Sequence, residues 1–419
     1  KEICFFIKAR FPGAIIIGGG EHITAMPEFS LQDCSAIDYA VLGEGEETIV
    51  ELIAALEGGQ SGQDIAGIAF CRQGSVVKTP RRTRIKEINA ITRPAWDLLP
   101  LENYLAGGYS FGVNIGRTVP LMATRGCPYQ CTFCSNPSMW TTRWTARTPE
   151  DVVDEMEEYI SRYNAQNFDF YDLTAIVRKD WTVKFCQLII DRKLNITWQL
   201  PSGTRSEALD DEVTKLLFVS GCRNLSYAPE SGSPDTLKRI KKKIEPDRMI
   251  ASMRTSVANG INIKANMIIG FPGEKLKNIL ESYLFAIRMA WAGVDDMSMW
   301  VFSAYPGSEL FNDLVKAGKI TDFSDDYFTG LLSYSDLNNV VSWNEHFTGT
   351  QLKHMRFFGI LLFYASSYVF RPWRLFKSIG NILRHKPESR MEMIVEKALS
   401  RHKGQAKPVR KDMLVKEAV

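Results

Sequence analysis

The sequence has no apolar run long enough to cross a bilayer. Its longest, Phe357–Phe370, is broken by Ser366 and Ser367 and falls short of the about 20 residues a membrane helix needs. That run reads as a buried helix; the alternative is a groove for an apolar substrate or a lipid surface. Bulk charge is also missing. The 51 Lys and Arg against 48 Asp and Glu leave a net charge of +3, so no nucleic-acid partner is implied. Disulfide architecture is missing as well. Of eight cysteines, three crowd between positions 127 and 134, while Cys4, Cys34, Cys71, Cys186 and Cys222 are scattered. This is not a secreted framework and fits a reducing, cytoplasmic setting. Internal repeats beyond a β/α alternation and low-complexity tracts are absent. The first residues, Lys1-Glu2-Ile3-Cys4-Phe5-Phe6, carry no signal-peptide pattern. They run straight into a helix-like segment, as the rear part of a longer chain would.

What is present describes a globular protein: 45% hydrophobic and 24% charged over 419 residues, enough for two or three domains. The charge is uneven. From Arg371 to Val419 there are 13 Lys and Arg against 5 Asp and Glu, a basic tail that reads as a solvated surface or as a contact for a partner or lipid surface.

Residues 1–60 alternate as α/β. Ala14–Ile17 is a short apolar strand running into Gly18-Gly19-Gly20, Asp38–Leu42 is a second strand, and Glu46–Leu56 has helical spacing. Residues 61–118 read as a connector, with prolines at both ends of Arg93-Pro94-Ala95-Trp96-Asp97-Leu98-Leu99-Pro100. From 119 to 304 six strands are expected: Val119–Ala123, Asn167–Tyr171, Ile196–Leu200, Asn224–Ala228, Ile261–Ile269 and Asp296–Phe302. A helix capped by Thr148 and opened by Pro149 follows the first. Alternating strands and helices imply a parallel sheet with right-handed crossovers, six of the eight units of a TIM-type barrel. Parallel barrels place chemistry at the C-terminal ends of strands. Residues 305–419 read as a helical region. Cys186 and Cys222 fall on expected helix or strand positions and read as core.

Cys127-Pro-Tyr-Gln-Cys131-Thr-Phe-Cys134 follows the first barrel strand. Three thiolates on one short loop suit an iron–sulfur cluster with one iron left open. Zinc is the competing reading, but it needs a fourth ligand, and the nearest histidine, His22, lies about a hundred residues upstream.

The CxxxCxxC spacing, with Phe133 just before the last cysteine, resembles the radical S-adenosylmethionine superfamily. The resemblance covers residues 119–310 and implies a [4Fe–4S] cluster on Cys127, Cys131 and Cys134. It also implies an S-adenosylmethionine site built from strand ends. Asp172, in Tyr171-Asp172-Leu173, stands where the family meets the methionine amine, although the usual GGE is not there. Arg205 is a partner for the methionine carboxylate. Glu230 and Ser231, in Pro229-Glu230-Ser231-Gly232-Ser233, resemble the ribose segment. Gly270, Pro272 and Gly273, in Gly270-Phe271-Pro272-Gly273-Glu274, resemble the GxIxGxPGE contact to adenine. Each has a plainer reading: Asp172 as a helix cap, Arg205 in a surface ion pair, the glycines as turn formers. Lys241-Lys242-Lys243 reads as a solvated helix end. In the family, one-electron cleavage of S-adenosylmethionine yields a 5′-deoxyadenosyl radical, with a flavodoxin or ferredoxin as the natural electron donor.

Ile15-Ile16-Ile17-Gly18-Gly19-Gly20-Glu21-His22 and Gly43-Glu44-Gly45-Glu46 resemble the last part of a cobalamin-binding domain. There Gly18, Gly19 and Gly20 would admit the cofactor's nucleotide tail. The front half of such a domain, with its DxHxxG segment, is not in this sequence, and His22 reads as a turn residue rather than a cobalt ligand. The order of segments resembles the cobalamin-dependent radical branch, which includes the anaerobic magnesium-protoporphyrin monomethyl ester cyclase and methylases of unactivated carbon. Methyl transfer is the expected reaction, an oxidative cyclisation or other radical rearrangement the alternative. A non-catalytic iron–sulfur or zinc module is the reading from another class. The substrate is expected to be a small, perhaps apolar molecule.

Overall fold

The computed structural model describes residues 1–204, 209–332 and 337–402. The chain builds two sheets. The first has the order β1 (Ile17–Gly18), β2 (Tyr39–Val41), β3 (Ile68–Arg72), β4 (Ser75–Lys78). Strands β1 and β2 are parallel; β2, β3 and β4 are antiparallel. Leu52 of the helix Glu46–Glu57 packs with Val41, Ile68 and Phe70 on one side, and Leu31, Ala40 and Ala69 pack on the other. The expected helix at 46–56 is therefore present. The expected strand at Ala14–Ile17 shrinks to two residues. Ile16 instead donates its N–H to the Asp38 carboxylate at 2.7 Å.

The connector expected at 61–118 needs correction at its front end. Residues 68–78 form a hairpin that completes the first sheet. Its two loop residues, Gln73 and Gly74, both have positive φ, 51° and 80°, the conformation that matches a two-residue hairpin to the twist of its strands. Ile68, Ala69 and Phe70 are all buried because that strand is covered on both faces, so it lacks the alternation of a one-sided strand. The remainder of 61–118 has short helical turns at Ile88–Ala90 and Trp96–Leu98 and an α-helix at Leu101–Gly107, with irregular segments between them.

The second sheet has β5 (Thr118–Leu121), β8 (Asn167–Phe170), β9 (Thr197–Thr204), β10 (Cys222–Glu230), β11 (Asn262–Ile269) and β12 (Asp296–Val301) in the order β12-β11-β10-β9-β8-β5. All five pairings are parallel. All six expected strands are present. Neither β5 nor β12 pairs with the other, which leaves an open, six-stranded partial barrel. Strand β11 shows the design: Ile263, Ala265, Met267 and Ile269 are buried, while Asn262, Lys264, Asn266 and Ile268 are half-buried on the other face. Helices cover the apolar face. Thr148 caps the helix Pro149–Tyr163 by accepting from the Asp151 N–H at 3.3 Å, and Val152, Val153, Met156 and Tyr159 are buried. Cys186 and Cys222 are fully buried, as core residues.

The helix Gly349–Phe370 crosses the helix Leu276–Ala292 and β12. A Cβ at Gly359 would stand 2.4 Å from Met299 Sδ, so only glycine permits this approach. The run expected as a buried helix is buried on one side alone. Phe363 is fully buried, but Leu361 and Val369 are 66% and 76% exposed. Among the described residues no helix is long and apolar enough to cross a membrane.

Candidate functional site

The cysteine loop hangs from the C-terminal end of β5. Two-residue strands β6 (Thr124–Arg125) and β7 (Thr145–Ala146) pair antiparallel and close its base. Gly126 has φ 79°, and a Cβ there would lie 2.3 Å from the Arg143 carbonyl. Backbone on backbone cannot yield, so only glycine can precede Cys127.

Four neighbouring segments fix the loop. Thr174 Oγ1, after β8, lies 3.4 Å from Cys127 Sγ, and Trp144 Nε1 donates to the Thr174 carbonyl at 3.0 Å. The Thr132 N–H donates to the Ile240 carbonyl at 3.0 Å, and the Thr132 carbonyl accepts from the Leu310 N–H at 2.9 Å. Phe133 packs on Phe271, the turn residue after β11, with ring centroids 5.6 Å apart. Asn136 Nδ2 donates to the Cys127 carbonyl at 3.2 Å.

All three thiols are outside any disulfide and half-buried. Burial pushes the Cys134 thiol up to about 11, with the Cys131 and Cys127 thiols adding to the shift. A bound cation reverses this, because a coordinating thiol is deprotonated outright. Two buried polar atoms of the loop, Thr132 Oγ1 and Asn136 Oδ1, have no hydrogen-bond partner, as expected of a loop shaped around a further group. Among the described residues no three His, Cys, Asp or Glu side chains converge closely enough to hold one metal ion. A single zinc draws its thiolates to about 2.3 Å from one point. An iron–sulfur cube offers each thiolate its own iron, so its ligands surround a volume instead. Three thiols on one short loop, near enough that Cys131 and Cys127 act on the Cys134 thiol, suit a cube that offers each thiolate its own iron.

The expected S-adenosylmethionine contacts divide. Asp172 is buried, and its carboxylate accepts from the N–H groups of Ala123 and Thr124 and from the Thr124 hydroxyl. Burial raises it to about 6. It clamps the backbone that leads into the cysteine loop, so the geometry gives it a positioning role. Ser231 is fully buried and bonded to Ser282 Oγ at 3.0 Å, a packing role. Glu230 has φ 64°, and its carboxylate receives Lys242 Nζ at 3.0 Å with both side chains buried. The Lys242 charge also acts on Cys134. The reading of residues 241–243 as a solvated helix end therefore fails at Lys242, while Lys241 makes only an exposed pair with Glu309. Gly270 and Gly273 have φ 82° and 72°. The Gly270 N–H is taken by the Glu274 carboxylate at 2.6 Å and the Gly273 N–H by Glu345 at 2.7 Å. The Pro272 carbonyl accepts from Arg239 at 3.1 Å. Arg205 lies outside the described residues.

The glycine turn of the first sheet reaches the same region. A Cβ on Gly18 would meet Ile23 at 2.6 Å, Gly19 lies against Val41, and Gly20, with φ 96°, faces open space. The ring of His22 packs edge-on against Phe328 at 5.1 Å, and burial lowers its pKa, so it is a packing residue. The next helix, Glu21–Ala25, contacts Asn136–Trp140 of the cysteine loop.

Sequence reading missed Arg84, Arg125 and Trp140. Glu44 accepts from Arg84 Nε and from Arg125 Nη1, each at 3.3 Å. Both guanidiniums lie over the Trp140 ring, at 5.6 and 5.7 Å. An arginine two residues before the first cysteine was the available signal. Beside this network lies a cavity of about 980 Å³ lined by Trp96, Met122, Arg125, Arg147 and Tyr171 among others. It sits between the connector, the edge of β5 and the cysteine loop.

Residues 121–286 match the radical SAM superfamily. The chain is 29% identical over 364 residues to an uncharacterised methyltransferase of Pyrococcus horikoshii, covering 87% of this chain and 74% of that protein. It is 28% identical to the anaerobic magnesium-protoporphyrin IX monomethyl ester cyclase of Rubrivivax gelatinosus, covering 74% and 55%. Its fold matches the radical S-adenosylmethionine methyltransferase TsrM of Kitasatospora setae, solved with cobalamin and a [4Fe–4S] cluster. There the TM-score is 0.60 at 18% identity, over 78% of this chain and 61% of that one. The chain thus spans little more than half of the cyclase. The partial barrel, the cysteine loop at its strand ends and the matched segment coincide, so residues 121–286 form a radical SAM domain similar to those of methyltransferases and of the cyclase.

Proposed function

We propose that this chain holds a [4Fe–4S] cluster on Cys127, Cys131 and Cys134 and uses S-adenosylmethionine to methylate an unactivated carbon with the help of cobalamin. The observation that carries the reading is the cysteine loop itself: three half-buried thiols on one short loop at the C-terminal end of a barrel strand, near enough that Cys127 and Cys131 act on Cys134. When bound, the cluster supplies the electron that cleaves S-adenosylmethionine. The residues of the chain do the rest. Asp172 and Gly126 set the path of the loop, and Phe133 ties it to the turn after β11. The buried Glu230–Lys242 pair offers charged hydrogen-bonding groups beside Cys134. The Gly20 turn and the roughly 980 Å³ cavity are the places for cobalamin and for a small-molecule substrate. Eight cysteines that form no disulfide support a reducing, cytoplasmic site of action, where a flavodoxin or ferredoxin would deliver the electron.

Similarity to the cyclase favours a second reading, oxidative cyclisation of the substrate. The deciding experiment is anaerobic reconstitution with iron and sulfide, then reduction in the presence of S-adenosylmethionine. 5′-Deoxyadenosine is expected, and Cys131→Ala should abolish it. An intact S-adenosylmethionine pool over a well-formed cluster would sink the proposal. With substrate and cobalamin present, S-adenosylhomocysteine marks methylation, and its absence marks the cyclase-type reaction.

A further inference from the structure

The helix Trp373–Leu383 is turned inside out. Apart from Lys377, which is exposed and pairs with Glu388, its polar side chains face the protein. Arg374 donates to the carbonyls of Val294 and Asp295 at 2.9 and 2.7 Å. Ser378 and Asn381 donate to the Glu392 carboxylate at 2.7 and 3.1 Å. Its apolar side chains face outward: Trp373, Phe376, Ile379 and Leu383 are 63%, 73%, 47% and 74% exposed. No residue of this helix is buried. At 3.6 residues per turn these four positions fall on one half of the helix circumference. A helix of a soluble domain ordinarily buries that half, and an exposed apolar face of this kind marks an interaction surface.

Charge says what it meets. The segment from Arg371 to Val419 has 13 Lys and Arg against 5 Asp and Glu. Arg384, His385 and Lys386, all exposed, directly follow Leu383. A second copy of the chain would bring two such basic segments together, and they repel. An anionic lipid surface attracts them and accepts the apolar side chains at its headgroup boundary. We propose that the helix Trp373–Leu383 docks on an anionic membrane surface, with Trp373, Phe376, Ile379 and Leu383 entering the headgroup region and the basic segment holding the helix there. Apolar insertion and basic attraction are the two signals that stable peripheral binding requires. The helix lies on the membrane and does not cross it.

The test is co-sedimentation of the full chain with vesicles of phosphatidylcholine alone and of phosphatidylcholine mixed with phosphatidylglycerol. Binding to the mixed vesicles only, weakening as salt rises, is expected. Phe376→Ser with Leu383→Ser should lower the partition coefficient on the order of tenfold or more. Both side chains are exposed, so the circular dichroism spectrum and thermal midpoint should hold. Arg384→Glu with Lys386→Glu, which leaves the apolar face intact, should weaken binding as well. Failure to sediment with the mixed vesicles overturns the proposal. So does binding that ignores the Phe376/Leu383 pair, since the basic segment alone would then explain it. A dimer in analytical ultracentrifugation that this pair dissolves, without vesicle binding, overturns it in favour of an interface between copies.

Discussion

Arg125 Nη1 stands 3.3 Å from Glu44 Oε1, although the two residues are 81 positions apart. Arg125 is two residues before Cys127, and Glu44 sits in the glycine-rich turn after β2. One ion pair therefore joins the first sheet to the root of the cysteine loop. Glu44 also holds Arg84 and the Ile85 N–H, the latter at 2.9 Å. Glu44 is thus shared by two guanidiniums stacked about Trp140, and Glu46 also pairs with Arg125.

The two ends of that pair should not be equivalent. Glu44→Ala takes the anion from the buried Arg84 and leaves Arg125 with Glu46 alone, and losing one partner of a buried pair costs about 3–5 kcal/mol. Arg125→Ala leaves Glu44 still paired with Arg84, so the loss should be about 1–3 kcal/mol. Urea denaturation of the two variants checks the order. Equal losses would mean that Arg84 does not compensate.

A similar contrast applies after β10. Lys242→Met removes one partner of a buried ion pair with Glu230 and should cost about 3–5 kcal/mol. Lys241→Met breaks an exposed pair with Glu309 and should cost no more than about 1 kcal/mol. Thermal melts of both variants distinguish a buried pair from a solvated run of lysines.

Why these pairs escaped the sequence is instructive. The six barrel strands were legible because the face each turns to the helices must be apolar, as Phe168, Phe170, Ile263, Ala265, Met267 and Ile269 are. The cysteine loop was legible from its spacing. Three neighbouring lysines look alike as letters, however. Only the fold shows that Lys242 turns inward while Lys241 does not. Glu44, Arg84 and Arg125 are brought together by chain paths that no local pattern encodes. Asp172 was noticed for its position after β8, but its carboxylate is committed to the Ala123 and Thr124 backbone. The helix Trp373–Leu383 has obvious amphipathic spacing, yet which half faces the protein is settled by Arg374, Ser378 and Asn381 finding partners there.

Gly126 should resist substitution. Gly126→Ala places a Cβ 2.3 Å from the Arg143 carbonyl at a positive φ, so the base of the loop must shift. The barrel core is distant from this change and should fold. The expected outcome is normal circular dichroism with a marked fall in iron retained after anaerobic reconstitution. Full iron content would show that the loop tolerates the shift.

Glu274 gives the sharpest dependence on pH. The carboxyl is fully buried and accepts from the Gly270 and Phe271 N–H groups and from Thr236 Oγ1. Burial raises its pKa from 4.5 to about 7. For an acid raised in this way, the folded state binds the extra proton between those two values. The penalty is absent below about pH 4.5, grows as pH rises, and is complete above about 7. At about 1.4 kcal/mol per pK unit, it reaches on the order of 3 kcal/mol. Glu274→Gln can keep the acceptor toward Gly270 and Phe271, donate its amide to the Thr236 hydroxyl, and carry no charge. The variant should therefore gain on the wild type as pH rises from 4.5 to 7 and hold that lead above it. Denaturant unfolding of both proteins at a series of pH values isolates the effect, because the other raised carboxyls, Asp169, Asp172 and Asp295, are common to both. A difference that stays flat across this range would mean that the three donors hold Glu274 ionised at little cost despite its burial.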